Sequence, residues 1–252
     1  MTKIIAVVNQ KGGVGKTTTA TNLAAGLAVY EKDTLLIDFD PQGNATSGLG
    51  KDKDNLKTHI YDALIEESKI QETLLKTDVE YLDICPSNID LTGAEIELVK
   101  EFSREHKLKK AIKPIINDYK YIVIDCPPSL GLLTVNALTA CTDVIIPIQC
   151  EYYALEGVSQ LLNTIRLIQQ NLNTKLNIMG VLLTMYDRRL NLSRQVAKEV
   201  RRYFKESVFE TIIYRNVKLS ESPSFGKSIF HYDISSSGAK NYLRLAEEVV
   251  KK

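Results

Sequence analysis

Short runs dense in Ile, Val and Leu alternate along this chain with longer segments whose apolar residues recur at helical spacing. The runs are KIIAVVN (3–9), TLLIDF (34–39), EYLDIC (80–85), YIVIDC (121–126), DVIIPI (143–148), LNIMGVLLT (176–184) and VFETII (208–213). Several are apolar at nearly every position, as strands are when both faces of a parallel sheet are covered. Helices are predicted between them over 16–30, 131–141, 154–171 and 191–204, with a last one near 238–250. This rhythm predicts an α/β fold: a doubly wound, mostly parallel sheet that receives ligands at the carboxyl ends of its strands. No linker rich in Pro, Gly or Ser divides the chain, so one domain over 1–252 is expected. The longest polar stretch, 44–60, is expected to be a mobile loop.

At 252 residues with 44% hydrophobic content, the chain can bury a sizeable core. Its net charge of +1 names no partner. The apolar stretches IMGVLL and VIIPI fall far short of the roughly 18 residues that cross a bilayer. The first residues, MTKIIAVVN, lack the layout of a signal peptide, so a cytoplasmic protein is expected. Cys85, Cys126, Cys141 and Cys150 show no C-x-x-C and no paired histidine spacing, and read as buried thiols in a reducing compartment.

The stretch NQKGGVGKTTT (9–19) joins the first strand to the first helix. Gly15, Lys16 and Thr17 fit the end of a phosphate-binding loop, G-x-x-x-x-G-K-[ST], but Gln10 stands where its first glycine belongs. Gly12 and Gly13 compensate, and a second lysine, Lys11, is added. Glycines here let backbone N–H groups turn towards an anion at the positive end of a helix dipole. Lys16 is placed to reach the β- and γ-phosphates, and the Thr17 hydroxyl to ligate Mg²⁺. Two other strands end in carboxylates, one in Asp38 followed by Asp40, the other in Asp125. Asp125 reads as the aspartate that holds Mg²⁺ directly or through water. Asp38 and Asp40 are expected on opposite faces and therefore in separate roles. Asp38 is assigned a supporting place near the metal, and Asp40 the orientation of the attacking water.

These residues resemble the deviant Walker-A ATPases, the family of ParA, Soj and MinD. The resemblance rests on KGGVGKTT (11–18), LLIDFDPQGNAT (35–46), YIVIDCPPSLG (121–131), VLLTMYDRR (181–189) and RNVKLSESPSFGKSI (215–229). DPQGNAT and SPSFGK look like the chromosome- and plasmid-partitioning branch. The resemblance implies an ATP hydrolase that binds ATP and Mg²⁺ through Lys11, Gly12, Gly13, Val14, Gly15, Lys16, Thr17 and Thr18. It implies that Lys11 crosses to the phosphates of a second subunit in a homodimer with two ATPs sandwiched between the chains. A second cation there can neutralise charge in the transition state, as an arginine finger does. Asp40 carries over as the water-positioning residue, and Tyr214 and Asn216 as neighbours of the adenine, although relatives often have proline where this chain has Tyr214.

Residues 181–231 hold ten Lys or Arg against five Asp or Glu, while the whole chain is nearly neutral. Arg194, Lys198, Arg201 and Arg202 recur at helical spacing, so several share one face. Charge alone fits a solvated helix face equally well. The resemblance favours double-stranded DNA bound without sequence preference, through phosphate contacts from Arg189, Lys198, Arg202, Arg215, Lys218 and Lys227. Tyr203 is expected in the core. The implied partner is a ParB-like centromere-binding protein that stimulates hydrolysis, and the implied location is cytoplasmic and nucleoid-associated. The alternative is a MinD-like membrane-positioning ATPase. The last helix argues against it, because Tyr242, Leu245, Ala246 and Val249 more simply pack on the core than on lipid. An iron–sulfur ATPase of the nitrogenase iron-protein kind is disfavoured, since no cysteine is flanked by glycine at the expected places.

Overall fold

The computed structural model describes residues 2–152, 154, 155 and 157–252. Its strands are β1 (Lys3–Val7), β2 (Thr34–Asp38), β3 (Leu75–Lys76), β4 (Leu82–Cys85), β5 (Tyr121–Asp125), β6 (Asp143–Gln149), β7 (Asn177–Tyr186) and β8 (Val208–Tyr214). They form one sheet in the order β3-β4-β2-β5-β1-β6-β7-β8, parallel throughout except for β3 against β4. The helices of the first half are α1 (Lys16–Val29), α2 (Asn44–Gly48), α3 (Ile60–Leu64), α4 (Ile70–Thr73), α5 (Leu91–Glu97) and α6 (Lys107–Ile112). Those of the second half are α7 (Leu132–Ala140), α8 (Val158–Asn171), α9 (Asn191–Phe204), α10 (Val217–Glu221), α11 (Ile229–Tyr232) and α12 (Ser237–Lys251).

Two apolar clusters cover the two faces of the sheet. Ile4, Ala6 and Val8 of the first strand region enter one cluster, with α7 and α8; Ile5 and Val7 enter the other, with α1 and α12. Successive strand residues point to opposite faces, so a run without polar positions feeds both clusters at once. The same alternation explains why several of these strands were legible as nearly uninterrupted apolar runs. All four cysteines are free and buried.

Three expectations are corrected. The stretch 44–60 is not simply a loop: its first five residues form α2, with Ala45 and Thr46 fully buried. The helix predicted from 154 begins at Val158, after Gly157 in the left-handed region. Tyr203 is not a core residue. The buried seam of α9 runs through Ser193, Val196, Ala197 and Val200 and passes to Phe204, leaving Tyr203 57% exposed, edge-on to Phe204.

Candidate functional site

The carboxyl ends of β1, β5 and β2 lie side by side at the centre of the sheet. Val7 stands in register with Asp125, and Asp125 with Asp38. The glycine loop leaves β1, which lies beside Asp125 of β5. Asn9 anchors its start, donating to the Pro147 carbonyl (2.7 Å) and accepting from the Lys11 N–H (2.9 Å). Gly13 and Gly15 have φ of +74° and +87°, which strains any residue with a side chain. Val14 turns inward and its carbonyl accepts from the Thr184 hydroxyl at 2.8 Å, tying the loop to β7. The N-terminus of α1 carries no side-chain cap, so its first N–H groups remain free for an anion. Thr17 and Thr18 occupy that first turn, partly buried.

Lys16 is buried and its Nζ donates to the Lys11 carbonyl at 3.1 Å. Burial lowers its pKa, while the charges of Asp125 and Asp40 hold it up. Lys11 is only partly buried, and Gly12 beside it is exposed with open space around the position of a side chain. The two lysines thus face different surroundings, one inside the site and one at its rim.

Asp125 is fully buried and neither carboxylate oxygen makes a well-formed hydrogen bond. Its pKa is raised well above the carboxylate range by burial first and then by Asp38 and Asp40, with the nearby Thr17 hydroxyl and the Lys16 charge opposing. Two unpartnered buried oxygens are costly unless something binds them. A hard cation held by one or two carboxylates, a threonine hydroxyl and substrate phosphates is the usual setting of Mg²⁺, and these residues fit it.

Asp38 is also fully buried, but its oxygens are engaged. Oδ2 accepts from the Thr46 N–H and hydroxyl, both at 2.7 Å, and Oδ1 from the Asp40 N–H at 3.3 Å. Burial pushes its pKa up to about 6 against these three donors. The expectation of opposite faces for Asp38 and Asp40 fails, because residues two apart in a strand share a face. The strand also ends at Asp38. Asp40 turns into the site, near enough to Lys16 to raise its pKa, and its Oδ1 accepts from the Gln42 N–H at 3.0 Å.

A pocket of about 220 Å³ runs from Gly15 and Thr18 past Met185 to Tyr214, Asn216 and Pro223. It opens directly beside the phosphate loop. The Asn216 side chain caps α10 at the Lys218 N–H (2.8 Å) and donates to Ser237 (2.6 Å). Tyr214 accepts from Arg188 at 2.7 Å, with the guanidinium 4.4 Å over its ring. Larger clefts, of about 580 Å³ between β8 and α12 and about 670 Å³ beside Lys107, lie away from the glycine loop and lack its chemistry.

The six basic residues singled out are all exposed but fall into separate groups. Arg189, Arg215 and Lys218 gather near the carboxyl ends of β7 and β8. Each has an acidic neighbour: Asp187 for Arg189 (2.7 Å), Glu151 for Arg215 (3.2 Å) and Glu221 for Lys218 (3.0 Å). Lys198 and Arg202 lie one turn apart along α9, and Arg202 stands roughly 16 Å along the axis from the first residue of that helix. Lys227 borders a polar cleft shared with Thr17 and Asn44. Lys198, Arg202 and Lys227 form no ion pair among the described residues.

A glycine loop between a central strand and a helix, a buried lysine and a partnerless strand-end aspartate define a P-loop nucleotide hydrolase. A family model described as an AAA domain matches residues 2–178. The chromosome partitioning protein ParA of Myxococcus xanthus is 58% identical over 250 residues, covering 99% of this chain and 88% of that protein. The sporulation initiation inhibitor protein Soj of Bacillus subtilis is 59% identical over 249 residues, covering 99% and 98%. Among solved structures, a cobyrinic acid a,c-diamide synthase of Mycobacterium smegmatis with ADP and magnesium is 39% identical with a TM-score of 0.89, covering 100% and 95%. The septum site-determining protein MinD of Pyrococcus horikoshii with Mg-ADP is 27% identical with a TM-score of 0.81, covering 100% and 97%. The chain belongs to the ParA and Soj family of chromosome-partitioning ATPases.

Proposed function

We propose that this chain hydrolyses ATP with Mg²⁺ in a homodimer that closes on two nucleotides and holds double-stranded DNA without sequence preference. Hydrolysis, stimulated by a ParB-like centromere-binding partner, then releases it. The observation that carries the hydrolytic reading is the buried, partnerless Asp125 carboxylate facing Lys16 at the end of an uncapped glycine loop.

The roles follow from position. Backbone N–H groups of residues 12–18 and Lys16 take the phosphates. Asp125 and Thr17 are the residues to hold Mg²⁺, which, when bound, neutralises charge on the phosphates and between the carboxylates. Asp38 fixes the loop that carries Asp40, and Asp40 orients the water. Lys11, at the rim, extends to the phosphates of the second subunit. Met185, Tyr214 and Asn216 border the adenine. The DNA reading is supported over the membrane one by α12, whose Tyr242, Leu245, Ala246 and Val249 are all buried in the core. No described helix is long and apolar enough to cross a membrane.

The test separates the two lysines. Lys16→Ala should lose ATP binding at least tenfold, measured with a fluorescent ATP analogue. Lys11→Ala should bind ATP within about threefold of wild type yet stay monomeric with ATP in light scattering. A normal ATP-dependent dimer from the Lys11 variant overturns the cross-subunit assignment.

A further inference from the structure

The phosphate site explains Asp38 only in part, because Asp38 is itself held by a residue eight positions on. Thr46 is fully buried, lies outside the glycine loop and lines neither the base pocket nor the cleft beside Lys227. Its hydroxyl donates to Asp38 Oδ2 at 2.7 Å and accepts from the Ser87 N–H at 2.9 Å. The same Asp38 oxygen takes the Thr46 N–H, also at 2.7 Å. One hydroxyl therefore joins the end of β2, the start of α2 and the loop after β4.

We propose that Thr46 is a positioning residue for hydrolysis, the clasp that closes residues 39–46 into a rigid loop and fixes Asp40 at the water. This rests on the reading of Asp40 given above. The loop is short and cross-braced: Asp40 Oδ1 accepts from Gln42 N–H (3.0 Å), the Asp40 carbonyl from Gly43 N–H (2.9 Å), and the Gly43 carbonyl from Ser47 N–H (3.1 Å). Gly43 is seated so tightly that a side chain there meets the Ser87 carbonyl at 2.7 Å. At its start the loop is tied to β5 by the Phe39 N–H on the Asp125 carbonyl (2.9 Å); at its end the Thr46 hydroxyl ties it to Ser87, 41 residues away. Without it, the Ser87 N–H and one lone pair of Asp38 are left buried and unmatched, and the Asp40 end of the loop loses its hold on the segment after β4. Displacements of about 1 Å at a positioning group cost on the order of 100-fold in rate.

Three substitutions grade the hydroxyl. Thr46→Ser keeps donor and acceptor, Thr46→Cys keeps a weak donor, and Thr46→Val keeps only the shape. The expected order of kcat is wild type and Ser alike, Cys lower, Val down about 10- to 100-fold, with KM for ATP within about twofold throughout. Hydrogen exchange of the nucleotide-free variants should quicken for peptides covering 39–47 and 86–88 in the same order, while α12 is unchanged. Should Thr46→Val not fold, the Cys variant carries both readouts. A wild-type kcat in Val or Cys, a parallel rise in KM, or a Ser variant as slow as Val overturns the proposal. Asp40→Ala separates the two readings: if it turns over normally, the role of Asp40 fails. If it is inactive while Thr46→Val is normal, only the clasp fails.

Discussion

Asp125 and Asp38 are two fully buried carboxylates in register on adjacent strands, and the buried Lys16 lies within reach of the charges of Asp125 and Asp40. Both have pKa values raised above the unfolded value by burial first, Asp38 to about 6 and Asp125 well above the carboxylate range. Between about 4 and those raised values the native state binds more protons than the unfolded chain, so this pair's contribution to stability falls as pH rises. Where a functional charge is held against its own electrostatics, removing it commonly stabilises the fold by about 0.5–2 kcal/mol. A chain of this size shifts its Tm by about 2–4 °C per kcal/mol. Asp125→Asn, free of Mg²⁺ and nucleotide, should therefore melt several degrees above wild type at pH 7.5. The gap should narrow at pH 5, and Mg²⁺-dependent turnover should be lost. Thermal unfolding at the two pH values checks this. An equal Tm at pH 7.5 would mean the carboxylate imposes no cost on the fold. The site is thus held against its own electrostatics, as is common where function needs a strained charge.

At the scale of elements, α1 is buried on nearly every side, so its face against α12 has little room. A side chain at Gly26 meets Ala246 Cβ at 3.1 Å, the Tyr242 carbonyl at 3.3 Å and the Phe230 ring at 3.4 Å. Alanine in mid-helix gains about 1 kcal/mol of propensity over glycine. Overpacking a tight interface costs about 1–3 kcal/mol. The second effect should win, because a backbone carbonyl and a methyl group offer no flexible end to give way. Gly26→Ala should lower the Tm by about 2–4 °C while ATP turnover at 25 °C stays within twofold; a higher Tm would show that the helices part freely. The long strands and helices were legible because their periods repeat over many residues. The five residues of α2 were not: their burial depends on Asp38 and Ser87, and a five-residue polar segment has no period to read. Tyr203 misled for the opposite reason, since one aromatic on an amphipathic helix suggests core until the seam is seen to pass to Phe204. Asn9, Thr184 and Thr46 left no local signal at all, because what makes each matter is a partner 138, 170 or 41 residues away.

Over the whole molecule, charge is sorted by position: the near-neutral chain places a +5 excess in residues 181–231, which contribute β7, α9 and β8 at one edge of the sheet. The basic groups sit both near the nucleotide end and along α9. Those near the nucleotide end carry surface ion pairs, each worth only about 0–1 kcal/mol, so exchanging Asp187 or Glu151 for a phosphate costs little. On the proposed reading, duplex DNA brings a salt slope of about −0.9 per phosphate neutralised, and the proposed ATP dimer presents each basic group twice. Arg202→Glu should therefore weaken binding on every sequence alike and flatten the salt slope by about 2, because each subunit then neutralises one phosphate fewer. Arg202→Glu combined with Arg215→Glu should flatten it by about 4, with ATP-driven dimerisation intact because neither residue lies in the phosphate loop. Anisotropy titrations on unrelated duplexes at several salt concentrations measure both slopes, beside liposome sedimentation of the same ATP-bound protein. Sedimentation with liposomes together with no DNA binding at low salt would remove the DNA reading and install the membrane one. A slope unchanged in the double variant would instead leave DNA binding in place and move it off α9 and β8 to another face.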